Sequence, residues 1–186
     1  MGRADRLEGM AELIDPRSQD RTLIIMRHGQ ADMPWGTSDF DRRLTEHGER
    51  QAHDAAHWLL EQEAVPEMIV CSAALRTRQT CTWVMDAFGE KAPTASLDER
   101  LYNAAPSALI AAINRTPETV RSLMLIAHCP GVQEAVLHLA SRDSEHDAVL
   151  DASAEFSEAS LAVLRVRGDW SEVEGADAEL LAYRRG

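Results

Sequence analysis

Two histidines and two arginines stand out by where they fall in the sequence. His28 follows the apolar run TLIIM at 22–26, and His128 follows SLMLIA at 122–127. Arg27 precedes the first histidine, and Arg76 comes shortly after a third apolar run, EMIVC at 67–71. A histidine beside an arginine at a strand terminus is poorly explained by packing. Arginine supplies the charge-assisted, bidentate bonds that hold a phosphate. A neutral imidazole attacks phosphorus and becomes a covalent phosphohistidine. Cationic donors around the transferred group stabilise the charge on its equatorial oxygens. Together the four residues read as phosphoryl transfer by a histidine nucleophile.

For these side chains to meet, the apolar runs must be strands of one sheet. Each run is short, apolar, partly β-branched and bounded by polar residues, as a buried strand requires. Helices are expected between them. One begins at Thr45 and carries Ala52, Ala55, Ala56, Leu59 and Leu60 on one broad face. Others are expected at 73–88, closed by Gly89, at 106–114 with proline in its permissive first turn, and at 132–140. SLAVLRVR at 160–167 and AELLAYR at 178–184 read as an antiparallel pair on one edge. The predicted fold is a single-domain α/β three-layer sandwich over 21–186. Its sheet is mostly parallel and doubly wound, with helices on both faces and an antiparallel edge. In such sheets function collects at the carboxyl ends of the strands, which is where Arg27, His28, Ser72, Arg76, His128 and Cys129 fall. Residues 1–20 are polar, contain Pro16 and read as a mobile extension.

Composition narrows the class. The 186 residues carry 31 Asp and Glu against 19 Lys and Arg, a formal net charge of −12. Such a chain repels DNA and anionic membrane surfaces at long range, so neither is an expected partner. With 45% hydrophobic residues it is no disordered acid, and no apolar run approaches membrane-spanning length. Lys91 is the single lysine; every other basic residue is arginine, whose planar fork suits phosphate. Cys71, Cys81 and Cys129 form no CxxC pair, and 1–20 lacks the apolar core of a signal peptide. A cytoplasmic protein is expected.

LIIMRHGQA resembles the signature of the histidine phosphatase superfamily, also called phosphoglycerate mutase-like. Three further segments match that family in order. RRLTEHGERQA is similar to its R-x-L-T-x-x-G segment. CSAALRTRQT resembles S-P-x-x-R-A-x-Q-T through Ser72, Arg76, Gln79 and Thr80. LMLIAHCPGV resembles G-H-x-P-G through His128, Pro130 and Gly131. The resemblance runs from about residue 22 to 183 and implies roles. His28 would be the nucleophile. Arg27, Arg76 and His128 would complete the phosphate pocket, with the backbone N–H of Cys129 as a further phosphate donor. Glu99 in LDERLY would be the candidate general acid, with Asp98 as second choice. The family's short phosphohistidine phosphatase branch is held to dispense with this acid, because imidazole leaves readily. The chain departs from the pattern at Arg43, Ala73, Ala127 and Cys129, none of which removes a side chain that performs chemistry. No cofactor and no metal are implied.

Competing readings are weaker. A cysteine phosphatase needs C-x5-R, whereas Cys71 precedes Arg76 at C-x4-R and Arg78 at C-x6-R. Cys71 is better read as a small buried strand residue. His53 and His57 imitate a zinc motif, but Asp54 replaces the required glutamate and no third ligand is identifiable. There is no P-loop and no G-x-G-x-x-G. Within the family, mutases carry insertions that enclose the substrate, and this chain has little spare length. The expected function is therefore a phosphatase acting on a phosphate monoester or a phosphohistidine. Its substrate would be a phosphorylated protein or a small phosphorylated metabolite, and inorganic phosphate its product. A phosphoglycerate mutase-type transferase and a non-catalytic phospho-ligand module are the alternatives.

Overall fold

The computed structural model describes residues 20–186. The extension predicted over 1–20 thus lies outside the described residues, Asp20 excepted. Six strands form one sheet: β1 (Arg21–Arg27), β2 (Met68–Ser72), β3 (Thr94–Asp98), β4 (Ser122–Ala127), β5 (Leu161–Val166) and β6 (Ala178–Arg184). Their order is β3-β2-β4-β1-β5-β6. The first four are parallel, and β5 and β6 form the antiparallel edge. The helices are α1 (Glu46–Glu61), α2 (Leu75–Phe88), α3 (Pro106–Ile113), α4 (Gly131–Leu139) and α5 (His146–Ala154).

Strand alternation divides the core in two. Leu23 and Ile25 of β1 face one cluster with Leu109, Ile113, Val132, Val136 and Trp170, under α3, α4 and α5. Ile24 and Met26 face the other with Ala52, Ala55, Leu59, Val84 and Phe88, under α1 and α2. Helices therefore cover both faces, which accounts for the near-continuous apolar runs of the central strands.

Two elements were not anticipated. β3, with the sequence TASLD, pairs only with β2 and is largely exposed, so it lacks an apolar signature. α5 buries only Ala152 and has no side-chain N-cap.

The glycines of the resembling segments have a steric reason. A Cβ on Gly29 would sit 2.5 Å from the Gly48 carbonyl oxygen, and one on Gly48 would sit 2.1 Å from the Gln30 carbonyl oxygen. The loop after β1 and the first turn of α1 thus approach backbone to backbone. Gly48→Ala forces that contact apart, although alanine is the better helix former. The expected loss is about 1–3 kcal/mol, read as a fall in Tm of about 2–10 °C for a domain of this size. A raised Tm would show that the approach is not tight.

Candidate active site

The register of the two central strands builds the site. β1 and β4 run parallel with Arg27 opposite Ala127, so the next residues, His28 and His128, emerge side by side. The His28 N–H donates to the Ala127 carbonyl at 3.1 Å, and the two imidazole centroids lie 5.2 Å apart. β2 ends at Ser72, and the first turn of α2 brings in Arg76. His28, Ser72, Arg76 and His128 are all buried.

Hydrogen bonds set the state of each ring. His28 Nδ1 lies 2.7 Å from the carbonyl oxygen of Gly29, so it carries the proton. Nε2 then holds the lone pair, and Arg76 Nε donates to it at 3.2 Å. His128 Nε2 lies 2.8 Å from Ser72 Oγ, while its Nδ1 is buried without a protein partner. With Ser72 donating to Nε2, the ring proton sits on Nδ1, which is left as a donor. Arg27 donates to the Phe156 carbonyl at 2.8 Å and to Glu158 at 3.0 Å, and its Nε is likewise buried and unpartnered. These free donors suit an oxyanion.

Burial dominates the titration of both rings. It lowers the His28 pKa to about 3 and that of His128 to about 4, with the nearby arginines and, for His28, the neighbouring His128 adding to the effect. Both are therefore neutral at pH 7, and a neutral imidazole keeps one lone pair and one N–H. Because the unfolded histidines take up protons near pH 6.5, the stability tied to their neutrality is complete above that pH. It is lost as the pH falls toward 4. Each contributes about 1.4 kcal/mol of destabilisation per pH unit in this window. Thermal melts from pH 7 to pH 5 should show wild-type Tm falling faster than that of His28→Asn. Parallel slopes would contradict a buried neutral His28.

A wall of the pocket was not foreseen. Asp39, in a short 3-10 turn at Asp39–Asp41, accepts from Arg76 at 3.0 Å, from Arg42 at 3.0 Å and from the Tyr102 hydroxyl at 2.7 Å. The Tyr102 bond, then the two arginines, hold its carboxyl below the usual range, so it is ionised. Arg76 is thus clamped between His28 and Asp39. Asp39, Arg42, Asn103 and Glu158 line a cavity of about 300 Å³ together with Arg27, His28, Arg76, His128 and Cys129. Three arginines face two carboxylates there, in a chain of net charge −12.

Glu99 is not brought to this cavity. It opens a 3-10 turn directly after β3 and is exposed, and with Asp98 it lines a separate depression. Asp98 is bound to Arg100 and Arg115. The LDERLY segment reaches the site through Tyr102, whose ring meets His128 at 5.6 Å between centroids. Cys129 is on the wall, with its thiol against the Phe156 carbonyl at 3.4 Å. Cys71 is fully buried. His53 and His57 meet edge to face on α1 with centroids 4.4 Å apart. Among the described residues no group of three or more His, Cys, Asp and Glu side chains is placed to hold a metal.

Other residues of the resembling segments bind the segments to one another. The Gly29 N–H donates to Thr80 Oγ1 at 3.1 Å, and the Leu44 N–H to Gln79 Oε1 at 2.9 Å. Thr45 caps α1 by accepting from the Gly48 N–H at 3.0 Å.

Comparison with known proteins bears on the family and the fold. An uncharacterised protein of Mycobacterium tuberculosis is 37% identical over 159 residues, covering 85% of this chain and 98% of that protein. A candidate phosphohistidine phosphatase, SixA, from Nakamurella multipartitia superposes with a TM-score of 0.79 at 27% identity, covering 92% of this chain and 98% of its own. The protein histidine phosphatase SixA complexed with tungstate gives 0.70 at 25% identity, covering 88% and 96%. The model of the histidine phosphatase superfamily (branch 1) matches residues 23–129, a span that holds both histidines and all three arginines of the pocket. With more than half of its length matched, the chain belongs to the histidine phosphatase superfamily.

Proposed function

We propose that the protein is a phosphohistidine phosphatase working through a phosphohistidine of its own on His28. Nε2 of His28 attacks phosphorus, and the bond to the leaving group breaks. Arg27, Arg76 and His128 Nδ1–H hold the three equatorial oxygens, on which charge is spread. Water then attacks the phosphoenzyme, inorganic phosphate leaves, and His28 returns with its Nε2 lone pair.

One observation carries the choice of substrate. The carboxylates on the cavity wall, Asp39 and Glu158, are each ion-paired to arginine, and Glu99 lies elsewhere. Among the described residues of the cavity wall, no carboxylic acid stands ready to protonate an alkoxide. Imidazole needs no such help: protonated at its distal nitrogen, a phosphoimidazole leaves as a neutral base. An aryl phosphate would also react, with its low-pKa phenol, whereas sugar phosphates would be poor. The proposed substrate is thus a phosphorylated protein, with inorganic phosphate as product. A cytoplasmic site of action is supported by three cysteines that remain free thiols. No helix among the described residues is long and apolar enough to cross a membrane. The net charge of −12 argues against nucleic acid as a partner. The test is a hydrolysis panel with a phosphohistidine peptide, para-nitrophenyl phosphate and a hexose phosphate. Fastest turnover of the hexose phosphate would refute the proposal.

A further inference from the structure

Among the described residues four large apolar side chains are exposed: Met33, Trp35, Leu97 and Leu150. Two of them fall within three positions of one loop, where Trp35 is fully exposed and Met33 is 79% exposed. A tryptophan with no packing partner contributes nothing to the core, and tryptophan is enriched where proteins meet.

The loop is held at both feet, and both feet belong to the catalytic pocket. At one foot Ala31 bridges Leu44, the Asp32 N–H donates to the Arg43 carbonyl at 2.9 Å, and Arg42 Nε donates to the Asp32 carbonyl at 2.6 Å. At the other, Asp39 is bound to Arg76 and Tyr102. Between them the chain turns tightly at residues 34–37, with the Thr37 N–H donating to the Pro34 carbonyl at 3.3 Å and Gly36 at φ +81°. Ala31, Asp39 and Arg42 line the cavity, whereas Met33 and Trp35 do not. A ligand contained within the cavity therefore meets only the feet of the loop. The two apolar side chains stand outside the cavity, on a loop whose feet are part of its wall.

We infer that Met33 and Trp35 form a docking element for the polypeptide that carries the phosphorylated histidine. The residues flanking that histidine would present an apolar surface to the loop. This rests on the phosphohistidine reading given above and narrows it: the phosphoryl group enters the arginine-lined cavity, and the loop selects what surrounds it. A buried tryptophan contact of this kind is worth about 10- to 30-fold in kcat/KM.

Two synthetic phosphohistidine peptides test the assignment, one with leucine and phenylalanine beside the phosphohistidine and one with glycine and serine. Wild type should prefer the apolar peptide by about tenfold or more in kcat/KM. Met33→Ser/Trp35→Ser should lose that preference, with an unchanged Tm and unchanged turnover of para-nitrophenyl phosphate. The assignment fails if wild type hydrolyses both peptides equally, if the variant keeps the preference, or if the variant loses para-nitrophenyl phosphate turnover to the same degree. If para-nitrophenyl phosphate is hydrolysed and neither peptide is, the phosphohistidine reading falls and the docking element falls with it.

Discussion

His28→Ala is expected to lower kcat on para-nitrophenyl phosphate and on a phosphohistidine peptide by at least about a thousandfold, as loss of a nucleophile does. The geometry leaves no substitute. His28 is the ring whose Nε2 is aligned by Arg76 and whose Nδ1 is fixed on Gly29. The neighbouring His128 already engages Ser72 through Nε2, and its Nδ1 is buried without a protein partner. Water entering the space left by the imidazole would meet the same arginines, so a small residual hydrolysis is compatible with the mechanism. Rapid quench with labelled substrate should trap a phosphoenzyme in wild type that survives alkali and decays in acid, and none in the variant. Turnover above a tenth of wild type, or a phosphoenzyme persisting in His28→Ala, would exclude His28 as the nucleophile.

Arg76→Ala ranks second, with an expected fall in kcat/KM of about 10²–10³, the usual cost of removing one donor from developing charge. All three donor nitrogens of this guanidinium are assigned: Nε to His28 and the other two to Asp39. Its removal therefore misplaces the nucleophile and frees the 3-10 turn at Asp39–Asp41 as well as withdrawing a cation. Arg76→Lys should rescue less than a tenth of the activity. An ammonium is a point charge and cannot span His28 and Asp39 together. Separate kcat and KM values, with the inhibition constant of inorganic phosphate, measure the effect. Full activity in the lysine variant would reduce Arg76 to a simple source of charge.

Much of this was legible in the sequence because parallel α/β sheets place their ligands at strand ends. Once TLIIM, EMIVC and SLMLIA are read as strands, His28, Arg76 and His128 are already neighbours. Asp39 was not legible, because its place in the pocket depends on contacts 37 and 63 positions away, to Arg76 and Tyr102. Nothing local distinguishes it from Asp32 or Asp41. Glu99 misleads for the converse reason. It is a carboxylate in a segment that does reach the site, but the turn after β3 faces it outward and delivers Tyr102 instead. β3 escaped notice because an edge strand paired on one side has little to bury.

The central place of β1 has a cost in time. Thr22 pairs with Ser122 on one side and with Arg165 on the other. During synthesis at about 5–20 residues per second, β1 emerges many seconds before either partner exists. Through that interval the chain carries an unpaired apolar strand of high β-propensity, the kind of segment that seeds aggregation. Its ends carry Arg21 and Arg27, and charges flanking an apolar strand disfavour edge-to-edge addition. Arg27 thus stands both at the end of that strand and on the wall of the cavity. Its replacement by an apolar residue should lower soluble yield in cells as well as activity.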